Sequence, residues 1–234
     1  MMAIPDWFIN ELIYAGGEHL DAEYVRGYDV KAGNDPADDI ALLREYGLNE
    51  THTLVDMGAG TGTFALAAAS YCRRVVAVDV SDAMVAAMRD KLDAGQIGNV
   101  EPVQAGFLSY KHTGEPVDFI YSRHALHHLS DFWKAMAIAQ MAAILKPGGV
   151  LVLRDLLYSF EPSEAEAAID AWLAGASRTP GVGWSRDELV THIQDEYSTF
   201  TWLVEAMLTR SGFEIVRADH LPSRIYSVYV CVRR

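Results

Sequence analysis

From residue 51 to residue 155 the chain alternates short apolar runs with stretches of helical periodicity, and this alternation limits its folds more than any other feature. THTLVDM reads as a strand and GTGTFALAAASYC as a helix of small residues. RRVVAVDV and SDAMVAAMRDKLDAG repeat the pair, with Ser81 as N-cap and Asp82 in the first turn. NVEPVQAGF is a third strand, weakened by Pro102, and VDFIYS is a fourth. DFWKAMAIAQMAAIL is a helix stopped at LKPGG, and GVLVLRDLL is a fifth strand. Strands alternating with helices predict an α/β fold with a parallel sheet covered on both faces. Near-continuous apolar strands suit a sheet buried on both sides. Near the C-terminus EIVRADH and IYSVYVCV follow each other with no helix between them. They can pair only as a hairpin, so the sheet should end with an antiparallel strand.

Around this core lie other segments. Residues 6–48 read as amphipathic helix broken by Gly16–Gly17 and by KAGNDPADD. Asn34 or Asp35 before Pro36 marks a helix start, and IALLREYGL ends at Gly47. YSFEPSEAEAAIDAWLAGA and SRDELVTHIQDEY read as helices around the turn RTPGVGW, and TFTWLVEAMLTRSGF as a helix ending at Gly212. A chain of 234 residues is filled by one such domain. Its parts are 1–50, a core 51–155, a helical insertion 156–200 and a C-terminal helix and hairpin 201–234.

Between the first strand and its helix stands LVDMGAGTGTF. Gly58, Gly60 and Gly62 permit tight turning and close backbone approach to a ligand. The helix start beyond offers unpaired N–H groups to anionic or polar atoms. A nucleotide-type ligand is expected, its kind open. A dinucleotide fingerprint wants glycine at the sixth position, where this chain has Thr63, and the Gly-Lys-Ser/Thr end of a P-loop is absent. Asp79 ends the second strand, 21 residues after Gly58, where a carboxylate can accept both hydroxyls of a ribose and repel a 2′-phosphate.

The net charge of −13 repels phosphate backbones and anionic lipid, and the longest basic runs are Arg73–Arg74 and Arg233–Arg234. A small-molecule substrate is therefore expected, with no nucleic acid and no membrane; a homodimer is left open. MMAIPDWFINEL lacks a basic region followed by an apolar core, so no signal peptide is expected. Cys72 and Cys231 are expected as reduced thiols, and the protein as cytoplasmic.

Chemistry is expected where strands end. His124, His127 and His128 follow the fourth strand and are candidates for a general base; the competing reading has them cap, stack or pack. No metal is expected, because no cysteine or acidic residue is spaced to complete a site with them. Arg154 and Asp155 end the fifth strand as substrate contacts, or as an ion pair or helix cap. Trp172, Trp184, Tyr197, Phe200 and Trp202 surround the insertion, as an aromatic wall for substrate or, the favoured reading, as core.

VDMGAGTGTFAL followed by VVAVDVSDAM resembles the first two motifs of the class I methyltransferases that use S-adenosylmethionine. VEPVQAGFLSY, VDFIYSRHALHHLSDFWKAMAIAQMAAILKPGGVLVLRD and SGFEIVRA with its hairpin partner fit as well, so the resemblance covers roughly residues 51–155 and 210–232. It implies a Rossmann-like, doubly wound, seven-stranded sheet, mostly parallel with the last strand reversed. It also implies that residues 1–50 form a helical lid over the cofactor and 156–200 a cap over the acceptor.

The resemblance further implies roles. Asp56 would hold the methionine ammonium, the backbone of Gly58 and Gly60 would approach the methionine part with Gly62 completing the loop, and Thr61 and Thr63 would bond its carboxylate. Asp79 would take the ribose, Val80, Met84 and Phe107 would lie near adenine, and the Ser122 carbonyl would face the ammonium. Tyr28 would shield the methionine end, and Tyr14, in the same segment as His19, Tyr24 and Lys31, is expected as a substrate contact, as is Trp202. Many relatives carry an acid at the position of Gly106, which receives the adenine amino group; here another acceptor is needed. Two other readings remain: a catalytically silent cofactor-binding scaffold or sensor, and a nicotinamide-dependent oxidoreductase, opposed by Thr63 and by the terminal hairpin.

Overall fold

The computed structural model describes residues 5–33, 35–178 and 183–234. Strands β1 (Thr53–Met57), β2 (Arg74–Asp79), β3 (Val100–Gln104), β4 (Val117–Arg123) and β5 (Leu145–Tyr158) run parallel. With β7 (Phe213–His220) and β8 (Tyr226–Arg233) they form one sheet in the order β3-β2-β1-β4-β5-β8-β7, in which β8 is antiparallel to both neighbours. A two-residue strand, β6 (Thr199–Phe200), pairs with the end of β5 and adds an eighth strand to the seven expected. Pro102 is tolerated because β3 is an edge strand.

All five residues of β1 are buried, and successive ones serve opposite faces. On one face Val55 and Met57 pack with Val76, Ile120, Leu151 and Leu153 against α5 (Asp131–Ile144) and α8 (Thr201–Arg210). On the other, Leu54 joins Val75, Phe119 and Val152 beneath α2 (Ala37–Glu45), α3 (Thr63–Ala68) and α4 (Asp82–Gly95). A smaller core of Leu156, Phe160, Trp172, Leu173 and Leu189 holds the insertion, α6 (Ala165–Ala176) and α7 (Arg186–Asp195), to the end of β5.

Several expectations change. Residues 5–20 carry two 3-10 turns, Glu11–Tyr14 and Gly17–Leu20, before α1 (Ala22–Ala32), not an amphipathic α-helix. Gly16 at φ 78° leaves each side too short for a helix whose nucleation is costly. HALHHL gives only the 3-10 turn Leu126–His128, with His124 at φ 48°. β5 starts at Leu145, directly after α5, so KPGG lies within the strand. The Asp35 carboxylate accepts from Ala37 N (2.9 Å) at the start of α2, while Asn34 and part of RTPGVGW lie outside the described residues. Cys72 and Cys231 are buried and unpaired. Among the described residues no helix is long and apolar enough to cross a membrane.

Candidate active site

The carboxyl ends of β1, β2, β4 and β5 open onto two adjoining cavities, of about 700 and about 100 Å3. His19, Tyr28, Gly58, Gly60, Arg123, His124 and His128 line both, so they form one bent site.

The three loop glycines do different work. Gly58, at φ 76°, packs so closely that a Cβ would stand 2.3 Å from Ala125 Cβ. Gly62, at φ 82°, leaves room for Met88, 2.5 Å from its ideal Cβ. Gly60, at φ 54°, opens onto the cavities, and the atom nearest to its ideal Cβ is Tyr28 Cε1 at 4.0 Å. So a side chain at Gly58 or Gly62 would collide with its neighbours, while one at Gly60 would enter the cavities.

Asp79 accepts from Gly60 N (2.7 Å) and Ser81 N (2.9 Å) and lines the smaller cavity with Val80, Met84 and Phe107. Burial pushes its carboxyl upward despite these N–H donors. Asp56 lines the larger cavity at 2% exposure, and its Oδ2 has no hydrogen-bond partner. Burial first, then the charges of Asp79 and Asp39, holds its carboxyl well above the usual range. An orphaned buried carboxylate oxygen beside an open glycine fits an ammonium group. Ser122 is fully buried and lines neither cavity.

The N-terminal segment is tied into this half. The Glu11 carboxylate accepts from Leu108 N (2.9 Å), Ser109 N (2.9 Å) and Ser109 Oγ (2.8 Å). It stands where a residue at 106 would place its side chain: a Cβ on Gly106 would lie 2.4 Å from Glu11 Oε1. Ser81 Oγ donates to the His19 carbonyl (2.7 Å). Asp29 on α1 accepts from Thr61 Oγ1, Thr63 Oγ1 (3.1 Å) and Lys91 Nζ, so both threonine hydroxyls are engaged by the chain itself. Tyr28 lies over Gly60, its phenol pushed up to about 12 by burial. Lys31 pairs with Glu188 on α7 and lies 4.6 Å from the Trp184 ring centroid, joining this segment to the insertion.

The histidines separate. His127 Nδ1 lies 2.5 Å from Asp155 Oδ1 and its Nε2 3.1 Å from Glu196 Oε2. Burial alone would lower its pKa, but the two carboxylates raise it to about 9, so the ring is held as a donor and not as a free base. Burial brings His124 and His128 down to about 3, leaving neutral imidazoles on the cavity walls. Asp155 is fully buried and also accepts from Leu126 N and Leu156 N (both 2.8 Å); it orients His127 and lines neither cavity. Arg154 pairs with Asp39 on α2 (2.7 Å), which also takes Arg123 (2.9 Å) and the Tyr121 hydroxyl (2.8 Å).

Of the residues expected at substrate, Tyr14 lines only the smaller cavity, and Arg154, Asp155 and Trp202 line neither. Trp202 is 53% exposed and stacks on Phe200, because it sits on the outer side of α8. Trp172 and Trp184 do line the larger cavity. Sequence reasoning missed Glu11, Asp29, His192 and Glu196. The spacing of His192 and Glu196, four residues on one helical face, was the available signal for the last pair.

A family model described as a methyltransferase domain matches residues 54–149. The methyltransferase YrrT of Bacillus subtilis (strain 168), itself uncharacterized, is 31% identical over 200 residues, covering 84% of this chain and 82% of the relative. An uncharacterized methyltransferase of Anoxybacillus flavithermus is 28% identical over 164 residues, 70% of each chain. Among solved structures, an S-adenosylmethionine-dependent methyltransferase from Aquifex aeolicus superposes with TM-score 0.64 at 19% identity, over 92% of this chain and 99% of that one, which speaks for the fold. The chain belongs to the class I S-adenosylmethionine-dependent methyltransferases. Its cofactor is S-adenosylmethionine, and the nicotinamide alternative falls away.

Proposed function

We propose that the protein methylates a small-molecule acceptor held in the larger cavity, with the cofactor in the smaller one and along the glycine loop. The observation that carries this is the cavity itself. Its volume of about 700 Å3 lies within the range of roughly 300–1,000 Å3 common for small-ligand sites. The glycine loop forms one wall, α7 another, and the Lys31–Glu188 pair bridges lid and cap.

On this reading Asp79 receives the ribose hydroxyls, the orphaned Asp56 oxygen receives the ammonium, and Val80, Met84 and Phe107 flank the adenine. Glu11 takes the adenine amino group. Its three donors fill three of the roughly four acceptor positions of a carboxylate and leave one toward the cavity. The bound cofactor supplies a methyl group on a sulfonium, open to in-line displacement. The protein then aligns and excludes water: Tyr28 covers Gly60, and His19, His124 and His128 wall the junction of the cavities. Alignment of this kind is worth roughly 7–11 kcal/mol in favourable cases. His124 and His128, brought down to about 3, are too weakly basic to take an acceptor proton near neutral pH, so we assign them to shaping the junction rather than to proton transfer. The net charge of −13 argues against a nucleic-acid acceptor, and the two buried, reduced thiols suit a cytoplasmic setting.

The test is transfer of isotopically labelled methyl groups to fractionated small metabolites and, in parallel, to protein and RNA. Label confined to low-molecular-weight product supports the reading. Label only in macromolecules contradicts the acceptor assignment, and cofactor binding with no transfer to any fraction would favour the silent scaffold.

A further inference from the structure

The insertion brings two residues of α7 and its C-cap, His192 and Glu196, against His127 in the turn after β4. One donor atom from each of the three lies within 4.8 Å of the others, and all three residues line the larger cavity. The free nitrogens are not placed at random. His127 Nδ1 is held by Asp155 (2.5 Å) and His192 Nε2 by Ser198 Oγ (3.0 Å), so His127 Nε2 and His192 Nδ1 are the atoms left to converge. They converge on Glu196 Oε2, which is buried and pairs with both rings. Two ring nitrogens and a carboxylate oxygen this close together can give up their shared protons to one shared centre. The Tyr197 N–H donates to the His127 carbonyl (2.9 Å), which fixes the end of α7 to the histidine turn.

We propose that His127 Nε2, His192 Nδ1 and the Glu196 carboxylate hold one divalent transition-metal ion on the wall of the larger cavity, with open positions that take an oxygen donor of the acceptor. Two imidazoles and one carboxylate form a set that binds zinc or iron(II) and leaves coordination open. Asp155 stands to His127 as the outer carboxylate of a carboxylate–histidine–metal unit, fixing the tautomer that frees Nε2. The strongly acidic chain favours uptake of a cation. The metal site stands on geometry alone; its oxygen-donor role rests on the acceptor reading of the cavity.

The experiment uses tag-free, chelator-treated full chain titrated with Zn2+ by calorimetry and with Co2+ by visible absorption. One ion per chain is expected, with a Co2+ spectrum of low coordination number. His192→Ala and Glu196→Gln should each weaken Zn2+ binding by at least the roughly 10–100-fold typical of outer-shell losses. His192→Cys, which keeps a donor, should bind Zn2+ more tightly than His192→Ala. Binding of S-adenosylhomocysteine, measured on every variant, should stay at the wild-type value and certifies the fold. No Zn2+ binding by wild type, or equal binding by all variants, overturns the metal site and leaves the cofactor reading intact. Loss of S-adenosylhomocysteine binding by wild type would instead defeat the cofactor reading.

Discussion

On the proposed reading, the cofactor half and the acceptor half of this site are built in different ways. The cofactor half is made at the ends of β1 and β2 from contiguous residues: Gly58, Gly60, Gly62, Asp56 and Asp79 all lie within 24 positions, from 56 to 79. Its geometry is backbone geometry, set by positive φ angles and by N–H groups aimed at Asp79. The acceptor half is assembled from side chains of β4, β5 and α7, of the histidine turn and of the N-terminal segment, which lie far apart in the sequence. Backbone geometry of the first kind serves one fixed ligand; a wall of separate side chains can change with the acceptor.

The largest expected effect breaks the glycine loop in two distinct ways. Gly58→Val should unfold or strongly destabilise the protein, because even the Cβ would collide with Ala125; overpacking of this sort costs about 1–3 kcal/mol, and the positive φ about 1–2 more. Gly60→Val, whose Cβ meets open space, carries only the positive-φ cost of about 1–2 kcal/mol, so it should lower the melting temperature less than Gly58→Val while abolishing binding of S-adenosylhomocysteine. Equal loss of stability in both would show that Gly60 serves only the fold.

Asp79→Ala comes next. It should weaken S-adenosylhomocysteine by about 1.5–3 kcal/mol, the cost of leaving polar groups unpaired, while Zn2+ binding stays unchanged. A folded variant with wild-type cofactor affinity would remove Asp79 from the site.

A smaller effect follows from pH. The Asp56 carboxyl is held above its ordinary range in the free protein, and a bound ammonium favours its ionised form. The ligand then prefers the deprotonated protein, so affinity should rise with pH between the bound-state and free-state pKa values and level off above the latter. Calorimetry in buffers of different ionisation enthalpy should show proton release on binding. Proton uptake, or affinity that falls with rising pH, would contradict this role. The sign for stability is opposite: raised folded-state values at Asp56 and Asp79 make the free protein lose stability as pH climbs from the ordinary carboxylate range through them.

Least affected should be Trp202→Ala, at a site exposed on α8. Surface changes of this kind usually stay within about 0.5 kcal/mol, so methyl transfer and melting temperature should both hold. A marked loss of transfer would bring the C-terminal helix into the site.

The same division explains what could be read from the sequence. The alternation over 51–155 predicts the sheet, and the glycine loop with Asp79 predicts its ligand edge, because strand periodicity and turn chemistry are local. The hairpin, β7 with β8, is legible for the same reason. Glu11 is not: it fills the space left by Gly106, 95 positions away, and nothing local marks it. His192 and Glu196 looked like ordinary polar positions of a short helix, and only the packing of α7 on the histidine turn brings them to His127. Asp155 and Arg154 do not end β5, which runs on to Tyr158, and their partners, His127 and Asp39, turn them inward to position other groups.

The central claim is that these halves are separable, one for the cofactor and one for the acceptor. Calorimetric titration of S-adenosylhomocysteine into wild type, Asp79→Ala and the double variant His192→Ala/Glu196→Gln tests it most directly. The account predicts roughly 10–150-fold weaker binding for Asp79→Ala, the fold-change equivalent of about 1.5–3 kcal/mol, and wild-type binding for the double variant. Wild-type affinity in Asp79→Ala together with lost affinity in a folded double variant would place the cofactor in the wrong half and contradict it.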